Sequence, residues 1–153
     1  MLFERAHNHN VRFNRAKVQL KVPTVLYLGH ILSSDGIRHD PDKVRAIVDM
    51  QTPVDRKALL QFLGMVTFLA RWLPHLAGMR KPLTELLKED AEWTWTTVHQ
   101  HAVDNIKKAV SSAPVLRFFD QSIPAAIQTD ATYTGLDFVL LQNDQPVAYV
   151  SRG

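Results

Sequence analysis

The chain has 153 residues, 46% hydrophobic and 22% charged, with a formal net charge of +3 and no cysteine. That length holds one medium domain or two small ones, the composition is globular and not disordered, and the missing thiols exclude disulfides and thiolate-bound metal. No stretch approaches the ~18 apolar residues of a membrane span, and the opening MLFERAHNHN lacks the layout of a secretory signal.

In chain order, LFERAHNH reads as the end of a helix, one that looks cut at its start. Arg5, Arg12, Arg15, Lys17 and Lys21 follow with Glu4 as the only nearby acid. Such a stretch favours polyanions through counterion release, or serves as a solvated basic surface. KVQLKVPTVLYLGHILSSDGI predicts a β-hairpin, with Val25–Leu32 as its clearest strand and Ser34-Asp35-Gly36 as a turn. DPDKVRAIVDM predicts a short helix with Asp40 as N-cap and Pro41 at the first helical position. A long helix over 55–73 comes next, capped by Asp55 and stopped by Pro74. A helix started by Pro82 carries Leu83, Leu86 and Leu87; Trp93 and Trp95 then precede a helix over about 97–112, striped by Ala102, Ile106, Ala109 and Val110 and ended by Pro114. From about Ile123 the pattern turns to strands, PAAIQTDATY, GLDFVLLQ and PVAYVSR, with Asn143-Asp144 as a tight turn. Three strands with an apolar face need a cover, so the chain is expected to be truncated at both ends.

The long helix carries two different stripes. Leu59, Phe62, Leu63, Val66, Leu69, Ala70 and Leu73 fall together as a core-facing set. Opposite lie Lys57, Gln61, Gly64, Phe68 and Arg71. A mid-helix glycine costs roughly 1 kcal/mol against alanine. Either it serves packing, with Phe68 covered by a neighbour, or the face admits a large ligand close to the backbone. Bare glycine, an aromatic plane and two cations suit a nucleic-acid groove and backbone.

Several stretches together resemble the Pol polyprotein of gypsy-class long-terminal-repeat retrotransposons: YLGHILSSDGI, DPDKVRAI, QFLGMVTFLARWLPHLAGMRKPLTELL, WTWT, IKKAVSSAPVL and TDATYTGLDFVLLQNDQPVAYVSR. They keep the family's order and spacing over nearly the whole chain. The resemblance implies an α+β chain in three parts. Residues 1–39 look like the end of a reverse transcriptase palm, with Leu28, Gly29 and His30 at a primer-grip-like hairpin. Residues 40–116 look like a thumb-like helical bundle, and 117–153 like a truncated three-stranded antiparallel ribonuclease H-like sheet. On this reading Lys57, Gln61, Gly64, Phe68 and Arg71 form a nucleic-acid track, and Asp130 matches the first metal-binding carboxylate of ribonuclease H.

Two-metal nucleases need several carboxylates around cations about 3.5–4 Å apart, so Asp130 alone is expected to be an incomplete catalytic remnant that holds no ion. Asp137 stands where the family usually has glycine, beside Phe138 where it has alanine, which suggests decay of the site. The paired aspartates of the polymerase are absent, since no Asp-Asp occurs in the chain. His7/His9 and His99/His101 are spaced to point apart on a helix, and the HNH at 7–9 lacks a nuclease context. Trp93 and Trp95 read as packing anchors.

The resemblance therefore implies a retrotransposon reverse transcriptase and ribonuclease H fragment, catalytically incomplete alone, with residual affinity for template-primer duplexes, RNA–DNA or DNA. The alternative is a host-retained protein-interaction module; a third reading is an enzyme segment that works once the rest of Pol is supplied. No cofactor is expected for this chain alone, with Mg²⁺ for the parent enzyme. A homodimer through the truncated sheet is expected, no membrane association, and an intracellular place in cytoplasm or nucleus.

Overall fold

A computed structural model describes residues 2–133 and 135–153. In order the elements are α1 (Leu2–Asn8), β1 (Thr24–Tyr27), β2 (His30–Ser33), β3 (Gly36–His39), α2 (Pro41–Val48), α3 (Arg56–Phe68), α4 (Leu76–Glu85), α5 (Thr97–Ser111), β4 (Ala126–Thr132), β5 (Gly135–Gln142) and β6 (Gln145–Arg152). The strands form two antiparallel three-stranded sheets, β1-β2-β3 and β4-β5-β6. The architecture is α+β, with the helices α2–α5 between the two sheets in sequence. Among the described residues no helix is long and apolar enough to cross a membrane.

The apolar run 25–32 is two strands and not one. Tyr27 pairs with His30, so Leu28 and Gly29 form a two-residue turn, and both have positive φ, 50° and 76°. Such a turn matches the twist of paired strands. A second tight turn at Ser34-Asp35 brings Ser33 opposite Gly36 and adds the third strand.

Helix starts follow their caps. The Asp40 carboxylate accepts from the Asp42 N–H at 3.0 Å, and that of Asp55 from the Ala58 N–H at 2.7 Å. The long helix ends earlier than its pattern suggests. After Phe68 the chain tightens into a 3₁₀ turn, Ala70–Trp72, closed by Trp72 N–H to Leu69 O and Leu73 N–H to Ala70 O. Pro74 offers no N–H to continue an α-helical ladder. Helix α4 starts at Leu76 and not at Pro82, which lies inside it. Leu76 and Leu83 are both buried, so the apolar stripe begins well before the proline.

The core lies among the helices. Leu59, Phe62, Leu63, Val66, Leu69 and Leu73 are buried as their spacing predicts, together with Trp72, Ile47, Leu83, Ile106 and Val110. Trp93 and Trp95 stack at 5.7 Å between centroids and pack on this cluster as anchors. His99 accepts the Thr96 N–H at 2.9 Å, a helix-start role.

Residues 115–117 tie the first sheet to the rest. Ile37 and Leu116 exchange backbone hydrogen bonds of 2.7 and 3.0 Å. Gly36, at φ 131°, must be glycine there: a Cβ would stand 2.1 Å from the Leu116 carbonyl oxygen. Arg117 donates to the Asp35 carbonyl at 3.0 Å and its Nε–H to Gln145, while its own N–H reaches Pro146 O at 2.8 Å.

The second sheet has two unlike faces. Pairing places Asp137 and Val139 beside Ser151 and Tyr149, on the side facing the 70–77 region. Here Ser151 Oγ accepts the Ala77 N–H at 2.7 Å. Ile127, Leu136, Phe138 and Val150 point the other way and stay exposed. Buried Gln142 fastens the 120–123 loop to β5, donating to Asp120 O and Ile123 O and accepting the Asp120 N–H.

Candidate functional site

Two candidate surfaces meet the segment 68–77. On one side, Lys57, Gln61, Gly64, Phe68 and Arg71 are all exposed, the first four along α3 and Arg71 on the 3₁₀ turn. From Lys57 to Phe68 this stripe runs roughly 16 Å at the rise of an α-helix. A Cβ placed on Gly64 would meet nothing within 4 Å, so this glycine is not there for packing. The helix backbone lies bare to solvent at that point.

The hairpin turn joins this stripe. The His30 and Phe68 rings stack with centroids 5.1 Å apart and planes at 16°. A Cβ on Gly29 would come within 3.0 Å of the Phe68 ring. Phe68 is thus covered on one side by Gly29 and His30, and remains 45% exposed on the other. Leu28 projects from the turn, 73% exposed. The structure therefore brings the residues Leu28, Gly29 and His30 and the end of the α3 stripe into one continuous surface.

Arg71 adds positive charge to this surface. The Arg71 guanidinium lies 5.2 Å from the Trp72 ring centroid, within cation–π range. Trp72 also contacts His30, 5.0 Å between centroids, and His39 at 6.0 Å. Burial pushes the His30 imidazole below its ordinary pKa of 6.5, and the Arg71 charge adds to this; burial likewise lowers His39. Exposed Lys43 lies near Phe68 as well, with Ile47, Met65 and Leu69, so this corner holds two cations. The basic residues Arg5, Arg12, Arg15, Lys17 and Lys21 are exposed on the preceding segment.

On the other side of 68–77, Asp130 and Asp137 stand directly opposite each other on β4 and β5. The Asp137 Oδ2 lies 3.0 Å from His75 Nδ1. Donor atoms of His75, Asp130 and Asp137 all lie within 4.8 Å of one another. Asp130 and His75 are exposed, whereas the Asp137 side chain is only 13% exposed, and its Oδ1 is shielded from solvent without a hydrogen-bond partner. These groups open into a cleft of about 270 Å³ with Pro74, Thr129 and Tyr149 in its walls. Asp137, read from sequence as a sign of decay, faces Asp130 across the strand pair. His75 escaped the sequence reading, because a search for short histidine spacings does not find a partner on a distant strand.

A profile of the RNase H-like domain found in reverse transcriptase matches residues 95–153. The Transposon Tf2-3 and Tf2-4 polyproteins of Schizosaccharomyces pombe (strain 972) are each 33% identical over 155 residues, covering 98% of this chain and 12% of the relative. The chain is related to the Pol polyproteins of gypsy-class retrotransposons. It spans only 12% of the length of these relatives. The fold agrees with this Pol kinship. The structure of the foamy viral protease-reverse transcriptase in complex with dsDNA shares it at a TM-score of 0.78 and 23% identity, over 90% of this chain and 30% of that one. The complex of that protein with an RNA/DNA hybrid gives 0.76 and 23%, over 90% and 19%.

RNase H-like domains generally use divalent metals. The donors gathered here do not fit a pair of magnesium ions. Two-metal catalysis needs carboxylates at both ions, and magnesium takes oxygen ligands in near-ideal octahedra. The described cluster offers two carboxylates and one imidazole nitrogen.

Proposed function

We propose that this chain is a duplex-gripping segment of a retrotransposon Pol protein, catalytically incomplete by itself. In this reading residues 1–39 are the end of a palm, 40–116 a thumb and 117–153 the first strands of a ribonuclease H-like sheet. The carrying observation is the junction of the Leu28-Gly29-His30 turn with the exposed α3 stripe through the His30–Phe68 stack. An aromatic edge, a bare glycine backbone and flanking cations suit the sugar-phosphate rim of a duplex. Foamy viral relatives in fold were solved with dsDNA and with an RNA/DNA hybrid, which supports a template-primer duplex as ligand. Such work belongs inside the cell, in cytoplasm or nucleus. Magnesium belongs to the chemistry of the whole parent enzyme.

Fluorescence anisotropy with a labelled RNA–DNA hybrid tests the proposal. Binding without sequence preference at about 10⁻⁴–10⁻⁶ M near physiological salt is expected. Lys57→Ala and Arg71→Ala should each weaken it and flatten its salt dependence, and Phe68→Ala should weaken it with less change of slope. Gly64→Ala separates binding from folding. The added methyl meets no neighbour, so the helix should gain roughly 1 kcal/mol while duplex affinity falls. Affinity unmoved by all four substitutions would remove this face from the function. Incubation of the hybrid with Mg²⁺ or Mn²⁺ should give no cleavage.

A second reading rests on the outer face of β4-β5-β6, where Ile127, Leu136, Phe138 and Val150 lie exposed together. This face would join two copies of the chain, or hold a protein partner in a host-retained module.

A further inference from the structure

We propose that His75, Asp130 and Asp137 form a binding site for a single divalent transition-metal ion, with Zn²⁺ as its best fit. The site is distinct in donor type from a paired-magnesium nuclease centre. Three observations converge on it.

First, the two carboxylates are direct cross-strand partners, an arrangement in which like charges repel. Among the described residues no lysine or arginine bridges them, and the side-chain partner of Asp137 is His75. A cation between the strands turns that repulsion into attraction.

Second, the His75 contact satisfies only half of Asp137. Oδ2 meets His75 Nδ1, but Oδ1 is sealed from solvent and accepts no hydrogen bond among the described residues. Buried carboxylate oxygens are ordinarily paired or bound to a metal. An ion seated between Asp130 and Asp137 would give the Asp137 carboxylate a partner beyond His75.

Third, the donor set selects the ion. Imidazole nitrogen suits zinc and its first-row neighbours, whereas magnesium favours oxygen and retains its water. Zinc holds such ligands at about 2.0–2.2 Å, so donors at the corners of its tetrahedron lie roughly 3.3–3.6 Å apart. The present donors, within 4.8 Å of one another, would draw together by roughly 1 Å around the ion. Three protein ligands leave a fourth position open toward the cleft, where water completes a tetrahedron. His75 reaches in from a left-handed backbone conformation, φ 55° and ψ 24°, at the start of α4.

Equilibrium dialysis of the 153-residue chain against micromolar Zn²⁺, with millimolar Mg²⁺ present, tests the site. One Zn²⁺ retained per chain is expected, with a rise in thermal midpoint that grows with zinc concentration. His75→Asn, which tolerates the left-handed conformation, and the near-isosteric Asp137→Asn should each lower affinity by tenfold or more. Far-UV circular dichroism checks that each variant keeps its fold, and Asp130→Asn serves where one of them does not. Retention of zinc by the folded variants would put the ion elsewhere on the chain and overturn the proposal. Displacement of zinc by magnesium, or no binding at all, would overturn it equally.

Discussion

The two sheets have the same strand count and the same antiparallel order, yet they are held in opposite ways. The first, β1-β2-β3, has strands of four residues and turns of two. It is fixed by backbone and aromatic contacts: the Ile37–Leu116 bridge, the Trp72 indole donating to Ile37 O at 3.3 Å, and the rings of His30 and His39 against Trp72. The second has strands of seven and eight residues and packs by one face, leaving an apolar face outside. Short strands cannot bury enough side chain to hold themselves, so specific backbone partners must do it. Longer strands can be held through one face and still expose the other. Both sheets converge on 68–77, which is why the two candidate surfaces lie on either side of that short segment.

The sharpest way to break the first sheet is Gly36→Ala. Its new Cβ would collide with a backbone oxygen, and its φ of 131° disfavours any side chain. The loss should be roughly 4 kcal/mol or more, read by urea denaturation, with amides of β1–β3 losing hydrogen-exchange protection first. Full protection in the variant would show that the bridge does not hold this sheet.

For the second sheet the corresponding change is Gln142→Leu. It leaves the Asp120 N–H and two carbonyls without their side-chain partner, at a cost of about 1–3 kcal/mol. Exchange should rise in 118–125 and leave β1–β3 unchanged; a uniform rise would mean that the two sheets unfold as one.

Acid should also separate them. His30 and His39 have folded pKa values below 6.5, chiefly through burial, so the unfolded chain binds more protons in that interval. Stability is therefore fully present above about pH 6.5 and falls as pH drops toward the depressed folded values. The strands of the second sheet contain no histidine. His30→Gln and His39→Gln together should flatten the stability curve between pH 6.5 and 5. An unchanged slope would place the sensitivity elsewhere.

The smallest effect on folding belongs to the outer face. Phe138→Lys should change monomer stability by about 0.5 kcal/mol or less. If that face joins two copies, sedimentation at micromolar concentration should show a dimer in the parent chain and a monomer in the variant. One monomeric species in both would reject self-association.

Much of this was legible in the sequence because it rests on local periodicity. The buried stripe of α3, the caps Asp40 and Asp55, the stripe of α5 and the Asn143-Asp144 turn, where both residues have positive φ, follow from spacing and residue type. What escaped depended on partners far away. Leu28 is not a turn former, and it adopts φ 50° because the hairpin pairing demands it, so a two-residue turn hid inside an apolar run. Pro82 looked like a start signal, yet the burial of Leu76 beneath it decides where α4 begins. Among the candidate residues, exposure of the Lys57–Arg71 stripe was readable from periodicity. Its meeting with His30, and that of His75 with Asp137, are tertiary contacts with no short-range signature.

The Arg117–Asp35 hydrogen bond spans 82 residues. It closes a loop over the whole helical region, and such closures lose chain entropy before any contact repays them. Helices α2–α5 are local and can form early, whereas the outer edge of β3 has no partner until 115–117 arrives. On a ribosome adding 5–20 residues per second, that wait lasts roughly 4–16 s after β3 is made. Through those seconds the nascent hairpin carries an open strand edge, and the helices that later fill the loop are synthesised in its presence. Docking of 115–117 is thus the contact that closes this edge, and chain order alone places it after the helices.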